Sequence, residues 1–334
     1  MKTQRLQVCL TADIEFDVNG ALTFPDLHRP CGSDAVFRPI AGKSEGLEPL
    51  LQPLQEFRLP ATMFVESLQC HHFGLDHMAR VVERLRAVPA IDLQLHIHPC
   101  WAYFKDPAWQ EAVKRVKVDD GMAGRKQAAR ALIEEAKAFF EQLTGMQPLA
   151  MRTGGLSVDA DVYRAQATVG IPLASSIGRA IAPSPDPELR AYNGLLHCAG
   201  VVEVPVTSFK ALGPRGSYDK LLTLTGNSLF QIKRLLRWHH LRQQGPVVVL
   251  THASEMASTP HLSTPCVFSK EPGAQRRWHA LCEYLARNEE TFEVLSFAQA
   301  WPRWRTQPAA KQAPYNGGLL TPFSQAFSRL GLAL

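Results

Sequence analysis

Short strand patterns alternate with amphipathic helix patterns along most of the 334 residues. Residues 6–14, 61–66 and 247–252 have the apolar or alternating character of strands, whereas residues 75–87 carry apolar side chains at helical spacing. Alternation of strands and helices favours a parallel sheet with helices packed outside it. Because about seven or eight such units close into a barrel, the sequence predicts an α/β barrel rather than an open sheet.

The charge balance argues against nucleic acid as a partner. The chain carries 36 basic and 31 acidic residues, a net charge of +5, and the basic residues are spread along the sequence. Neither a G-x-G-x-x-G after the first strand nor a G-x-x-x-x-G-K-[ST] motif occurs, so no nucleotide site is indicated. An anionic substrate is compatible with these numbers.

Three features indicate a cytoplasmic protein. No apolar run approaches the roughly 20 residues that span a bilayer, so we expect no transmembrane segment. The first residues run directly into a strand pattern rather than a signal peptide. The seven cysteines are scattered and form no C-x-x-C motif, which is typical of free thiols in a reducing compartment.

No internal repeat and no linker divides the chain, so we expect one catalytic domain over residues 1–302. Residues 303–334 form a Pro-rich C-terminal tail that we expect to dock on the domain, with a partner-binding segment as the alternative. Residues 17–45 form a loop without periodicity. A loop of this length inside a compact domain is usually functional or mobile.

Two strand patterns end in ionisable side chains that share one face. The strand at residues 91–98 alternates polar and apolar side chains, and its polar face ends in His96 and His98. The first strand places Asp13 and Glu15 on one face in the same way. We therefore expect two carboxylates and two imidazoles to point to the same side of the sheet.

Two further ionisable residues, Arg152 and His252, lie at the ends of later strand patterns. In parallel α/β barrels, ligands bind at the carboxyl ends of the strands. The sequence therefore predicts one site, at the mouth of the barrel, to which all these strand ends contribute.

The residue types expected at this mouth match metal-assisted hydrolysis. Two neutral imidazoles and one carboxylate are a common ligand set for a divalent catalytic metal. A second carboxylate beside the metal can accept a proton from the attacking water, and a histidine on the opposite side can protonate the leaving group.

Each of these signals is weak by itself. An H-x-H pair is at least as often a surface pair or a satisfied buried pair, and a D-x-E at a strand end is often a helix cap or an ion-pair partner. The pairs His71-His72 and His239-His240 are not accompanied by ionisable residues at strand ends, and we expect them to be solvated or structural. The site is favoured because its motifs all lie at strand ends.

Five motifs in this order resemble the polysaccharide deacetylase family (NodB homology domain, carbohydrate esterase family 4). They are T-A-D-I-E at 11–15, A-T-M-F-V at 61–65, L-H-I-H-P at 95–99, M-R-T-G-G at 151–155 and V-V-L-T-H at 248–252. The resemblance covers roughly residues 5–300. It implies a distorted (β/α)7-type barrel and a divalent metal, expected to be zinc, that serves the removal of acyl groups, usually N-acetyl, from sugars.

The resemblance also implies roles for individual residues. Asp13 matches the family's general base, and Arg152 matches the arginine that orients this base. His252 matches the general acid, and His96 matches the first metal histidine. Trp101 and Leu250 are expected to contact the substrate.

The sequence departs from the family pattern at the other metal ligands. The family's metal aspartate directly follows the base, but that position is Ile14, and Glu15 is the expected substitute. The second metal histidine normally comes four residues after the first, at a position that is Cys100 here. We favour His98 as this ligand, and Cys100 is the alternative.

A third departure concerns the catalytic histidine. The family places an aspartate that supports this histidine near residues 173–177, where this chain has Ser175 and Ser176. The sequence therefore offers no evident partner for His252.

Three functions fit these observations. The first is a metal-dependent hydrolase that removes an acyl group from a sugar, a nucleotide-sugar or a lipid-linked glycan intermediate. The second is an amidohydrolase of the same fold acting on a non-sugar amide, and the third is a catalytically impaired metal-binding or glycan-binding pseudoenzyme.

The 17–45 loop carries three basic residues, Arg29, Arg38 and Lys43. They either contact an acidic group of the substrate or are solvated surface charges. We favour solvated surface charges.

Overall fold

The computed structural model describes residues 4–213 and 215–317. Its central sheet contains seven parallel strands: β1 (Leu6–Ile14), β2 (Ala61–Glu66), β3 (Ile91–Ile97), β4 (Ala150–Thr153), β5 (Leu173–Ala174), β6 (Val201–Glu203) and β7 (Val247–His252). Their order across the sheet is β7-β1-β2-β3-β4-β5-β6, and every neighbouring pair is parallel.

The sheet curls until its two ends meet. Directly after β6, the backbone N–H of Thr207 donates to the carbonyl of Val248 in β7 at 3.2 Å. The N–H of Val248 donates in turn to the hydroxyl of Thr207 at 2.9 Å. These two bonds replace a regular ladder between β6 and β7. The expected distorted (β/α)7-type barrel is thereby confirmed.

Helices cover the outside of this sheet. The longer ones are α1 (Leu47–Glu56), α2 (Leu75–Arg86), α3 (Ala129–Thr144), α4 (Ala160–Thr168), α5 (Leu229–Leu241), α6 (Pro272–Ala286) and α7 (Phe297–Trp304). Short helices lie at Asp34–Phe37, Cys70–Phe73 and Trp109–Lys114, and 3₁₀ turns at Pro99–Lys105, Gly154–Leu156, Pro187–Leu189 and Ala253–Glu255.

The helices bury the apolar stripe that the sequence pattern indicates. In α2, four side chains spaced three and four residues apart are buried in the layer between helices and sheet: Met78, Val81, Val82 and Leu85. Burial of such a side chain stabilises the fold by about 1.5–3 kcal/mol. This outer layer holds the strands in position.

A second apolar core fills the barrel interior. It contains Cys9, Phe64 and Val248 from three strands, and α7 closes it with Phe297 and Trp304. The ring centroid of Phe297 lies 5.5 Å from that of Phe64 and 5.2 Å from that of Trp304. The barrel is therefore a packed core with one open mouth rather than a pore.

Additional strands extend and decorate the sheet. Gly194–Cys198 pairs antiparallel with β6, Ala310–Lys311 pairs antiparallel with Gly194–Cys198, and Phe292–Val294 pairs parallel with the start of β1. A hairpin joins Ser208–Gly213 to Gly216–Leu221, and two-residue pairs join Pro39–Ile40 to Lys43–Ser44 and Ala257–Ser258 to Ser269–Lys270.

The sequence pattern over residues 121–143 predicts one long helix, but residues 121–128 form turns instead. Gly124 adopts a positive φ of 82°, and its N–H donates to a carboxylate oxygen of Asp159 at 2.6 Å. Residue spacing alone does not reveal this tertiary hydrogen bond. The helix α3 consequently begins at Ala129.

The predicted boundary between residues 302 and 303 lies inside α7. The chain continues along the barrel to Tyr315, which is 8% exposed, and the tail residues 318–334 lie outside the described part of the chain. The division into domain and tail stays a prediction.

No helix within residues 4–213 and 215–317 combines the length and apolar character needed to cross a membrane.

Candidate functional site

The carboxyl ends of β1, β3, β4 and β7 bring the predicted catalytic and metal-binding residues together. In the strand register, Asp13 lies opposite His252, and His96 lies opposite Arg152. Alternation along each strand directs these side chains to the inside of the barrel. Six residues meet there: Asp13, Glu15, His96, His98, Arg152 and His252.

Glu15, His96 and His98 have the geometry of a metal ligand set. Oε2 of Glu15 lies 3.1 Å from Nε2 of His96 and 2.8 Å from Nε2 of His98. All three ligand atoms lie within 4.8 Å of one another. Nitrogen and carboxylate ligands in this number suit zinc and similar divalent ions, and they leave a coordination position open.

Hydrogen bonds behind the ligands fix both imidazoles. Nδ1 of His96 donates to the backbone carbonyl of Arg152 at 3.0 Å. A carbonyl can only accept, so the proton must lie on Nδ1, and the lone pair on Nε2 is free for a metal. Nδ1 of His98 makes the corresponding bond to the carboxylate of Asp120. Such bonds orient metal ligands and raise their basicity.

The electrostatics of this cluster favour a bound cation. Burial alone would raise the pKa of Glu15, but the charges and hydrogen bonds of His98 and His96 hold it well below its usual range. Burial would lower the pKa of His98, but Glu15 and Asp120 raise it well above its usual range. Glu15 therefore stays ionised, and the carboxylates of Glu15 and Asp120 stabilise positive charge at His98, whether it comes from a proton or from a bound cation.

Glu66, at the end of β2, holds the backbone under this site. It is fully buried, accepts the N–H of Leu68 at 2.7 Å and also accepts the N–H of His98. Burial raises its pKa to about 7. Its position at a strand end and its inward register were visible in the sequence.

Arg152 is buried and holds Asp13 in place. Nη1 of Arg152 donates to Oδ1 of Asp13 at 2.7 Å, and Nη2 donates to the hydroxyls of Thr11 at 3.1 Å and Ser175 at 3.0 Å. Its guanidinium lies 4.0 Å above the ring centroid of Phe64. Only Oδ2 of Asp13 is left to face the site, at 3.8 Å from Nε2 of His96.

The imidazole of His252 lies beside Asp13 in the site. Its Nε2 lies 3.7 Å from Oδ2 of Asp13, while its Nδ1 contacts Oε1 of Glu255 at 3.2 Å. Glu255 is fixed by the hydroxyl of Thr251, which donates to Oε2 at 3.0 Å. Glu255 therefore gives His252 a carboxylate partner, which the sequence does not offer at Ser175 and Ser176.

Opposing effects set the protonation of His252. Burial lowers its pKa, but the hydrogen bond to Glu255 and the negative charges of Asp13, Glu15 and Glu255 outweigh burial and raise the pKa to about 9. The ring therefore carries a proton near neutral pH in the metal-free protein.

Cys100 lies on the far side of His98 from Glu15. Its N–H donates to Oδ1 of Asp120 at 3.0 Å, and its thiol groups with His98 and Asp120 rather than with His96. Burial raises the pKa of the Cys100 thiol to about 12. The thiolate, which is the form that binds metals, is therefore disfavoured.

The two residues expected to contact substrate are both buried. Trp101 is 1% exposed, and its ring packs against Phe104 and Phe73 with centroid distances of 5.1 Å and 6.0 Å. Trp101 and Glu15 both line a cleft of about 240 Å³. Leu250 is 3% exposed and belongs to the apolar core inside the barrel.

Sequence reasoning missed Asp120 and Glu255. Asp120 precedes a segment with a helical pattern and lies 22 positions from His98, so nothing local connects the two. Glu255 follows His252 by three residues, and a carboxylate at this spacing in a turn was a signal that could have been used.

Gly154 allows the ring of His98 to lie against the backbone. A Cβ added at Gly154 would overlap the His98 imidazole, whereas a Cβ at Gly155 meets nothing within 4 Å. We expect Gly154→Ala to displace the ring and to weaken metal binding by about 10–100-fold, as loss of a ligand's support does. Competition with a chelator measures this affinity.

Gly155→Ala is the matched control, because it introduces strain at a φ of 58° without touching His98. Equal metal affinity of Gly154→Ala and wild type would contradict the placement of His98 in the site.

Comparison with known proteins supports this architecture. No family model and no curated protein sequence matches the chain. Among solved structures, a candidate polysaccharide deacetylase from Mycobacterium smegmatis is 15% identical, with a TM-score of 0.55 over 94% of this chain and 96% of its own.

Two more distant structures also match. A family 4 acetyl xylan esterase from Clostridium thermocellum, in complex with a cobalt ion, is 14% identical, with a TM-score of 0.40 over 89% of this chain and 91% of its own. A CE4 family pseudoenzyme from Bacillus anthracis is 10% identical, with a TM-score of 0.43 over 89% of this chain and 65% of its own. On the likeness to the Mycobacterium smegmatis structure, the chain has the fold of the polysaccharide deacetylases, and the resemblance indicated by its five motifs is confirmed at the level of the fold.

Proposed function

We propose that the protein is a metal-dependent hydrolase that removes an acyl group, N-acetyl in the first place, from the nitrogen of a sugar or glycan intermediate. Glu15, His96 and His98 would hold a divalent ion, with zinc as the expected metal. Asp13 would act as the general base and His252 as the general acid.

One observation carries this proposal. The free Oδ2 of Asp13 and Nε2 of His252 lie 3.7 Å apart, beside the three-ligand set. A binding protein needs ligands but no proton donor and acceptor next to them. A metal in this set would supply positive charge that polarises the acyl oxygen and acidifies water.

Asp13 and His252 each carry out one of the two proton transfers. Arg152 occupies Oδ1 of Asp13, so Oδ2 is the oxygen available to take a proton from water. His252 donates its Nε2 proton to the leaving nitrogen, while Glu255 stabilises the ring in its charged form through Nδ1.

The proposed substrate class follows from the motif resemblance, and the cleft has room for the reacting group. A volume of about 240 Å³ is enough for an acyl group and part of the sugar that carries it, and the cleft is open to solvent. A small non-sugar amide would fit the same cleft. The cytoplasmic location also remains a prediction.

Acetate release tests this function. Zinc-loaded protein is incubated with N-acetylated monosaccharides, chito-oligosaccharides and a panel of cyclic imides, and the free acetate or ring-opened product is quantified. Turnover of N-acetyl sugars supports the proposal, and turnover of imides alone would select the amidohydrolase alternative. Full metal occupancy without turnover of any compound would identify a pseudoenzyme.

Glu255 provides a separate test, because its only proposed role is to position and charge His252. We expect Glu255→Ala to lower kcat by about 10–100-fold, the value of one charge-assisted hydrogen bond, with KM nearly unchanged. Glu255→Gln keeps an acceptor for Nδ1 and should recover part of the loss. Equal kcat in wild type and Glu255→Ala would rule out this role.

A further inference from the structure

We propose that Arg38 forms an anion subsite in the cleft and binds a carboxylate or phosphate group of the substrate. This inference rests on the proposed function, since it specifies the class of acyl-sugar that the same cleft accepts. The proposal concerns Arg38 alone among the basic residues of the 17–45 loop, because Arg29 and Lys43 are both exposed.

Arg38 lies inside the protein, in the wall of the cleft that contains Glu15 and His98. The residue is only 3% exposed. Its guanidinium is 5.0 Å from the ring centroid of Phe268. The group is therefore shielded from bulk water and located beside the proposed metal ligands.

The hydrogen bonds of Arg38 leave part of its guanidinium unused. Nε donates to the carbonyl of Ala35 at 2.9 Å, and Nη1 donates to the carbonyl of Ala257 at 2.8 Å and the hydroxyl of Thr259 at 2.9 Å. These acceptors are all neutral. Across residues 4–213 and 215–317, Nη2 makes no hydrogen bond and no carboxylate pairs with Arg38 within 4.0 Å.

A buried charge that has no counter-ion in direct contact is unfavourable. Arg152, the other arginine buried beside the site, has Asp13 as its partner at 2.7 Å. Asp17 also lines the cleft, and its negative charge favours the charged form of Arg38, but it forms no ion pair with Arg38 within 4.0 Å, and its Oδ1 accepts the N–H of Asn19 at 2.7 Å. An acidic group on the substrate would supply the missing counter-ion for Arg38.

The backbone holds Arg38 in this position at some cost. Its φ of 49° and ψ of 65° lie in the left-handed region, which disfavours residues with a Cβ by roughly 1–2 kcal/mol. Strained residues of this kind concentrate at functional sites. Hydrogen bonds through Nε and Nη1 fix the guanidinium, so Nη2 is preorganised for a ligand.

Calorimetric binding to zinc-loaded protein tests the subsite without turnover. The probes carry no acyl group that could be hydrolysed: they are glucose, which is neutral, glucose 6-phosphate and glucuronic acid. We expect wild-type protein to bind at least one anionic probe about tenfold or more tightly than the neutral one. The phosphate and carboxylate probes show which anion the cleft prefers.

Arg38→Gln should abolish this preference, whereas Arg29→Gln, a change on the exposed part of the same loop, should keep it. Arg38→Lys retains a charge and should keep part of the preference, which provides a readout if Arg38→Gln does not fold. Equal wild-type affinity for neutral and anionic probes would overturn the inference, as would full preference in folded Arg38→Gln. Acetate release by wild type from neutral sugars, measured separately, shows whether the proposed function stands when the subsite fails.

Discussion

Replacement of His252 by alanine is expected to lower kcat by about 10²–10⁴-fold, the usual contribution of a positioned acid or base. Metal content should stay at the wild-type value, because Nε2 of His252 is not part of the set formed by Glu15, His96 and His98. Steady-state kinetics and elemental mass spectrometry on the same preparation give both numbers.

His261→Ala is the control for this experiment, since it removes an exposed imidazole from the loop that follows β7. It should leave turnover and metal content unchanged. Unaltered turnover in His252→Ala would exclude the residue as the acid, and loss of metal would make it a ligand.

The second large effect concerns stability. We expect Arg152→Met to lower the free energy of unfolding by about 3–5 kcal/mol, because it leaves a buried carboxylate without its partner. The side chain of Asp13 is 6% exposed, so water cannot replace the guanidinium. Urea unfolding followed by circular dichroism measures the change.

A double-mutant cycle separates the ion pair from the rest of the site. Because Asp13→Asn removes the negative charge, the double variant Asp13→Asn with Arg152→Met should be less destabilised than the sum of the two single changes. Additive changes in stability would show that the two charges do not depend on each other.

The fold and the centre of the site could be predicted because they depend on local patterns. Period-two alternation determines which side chains of a strand share a face, and parallel strands bring their carboxyl ends to one edge. This reasoning brings Asp13, Glu15, His96 and His98 together without any knowledge of loops. The preference for His98 over Cys100 rests instead on the motif L-H-I-H-P at 95–99 and on the poor match of a thiol to a set of oxygen and nitrogen ligands.

The residues that support the site from the loops could not be predicted from these local patterns. Asp120 reaches His98 from the segment just before the predicted helix, and a hydrogen bond from Gly124 to Asp159 holds the turn that follows it. Whether Arg38 is buried or solvated likewise depends on the packing of its loop against Ala257 and Thr259. Contacts of this kind join segments far apart in sequence, where periodicity carries no information.

The metal content of the purified protein decides whether Glu15, His96 and His98 form a metal site. Wild type is compared with the double variant His96→Ala with His98→Ala by elemental mass spectrometry after incubation with zinc and removal of free ions. We predict close to one divalent ion per wild-type chain and loss of that ion in the variant. A wild-type protein that retains no metal after exposure to zinc, cobalt, nickel and manganese would rule out the metal site, and the two histidines would then be structural.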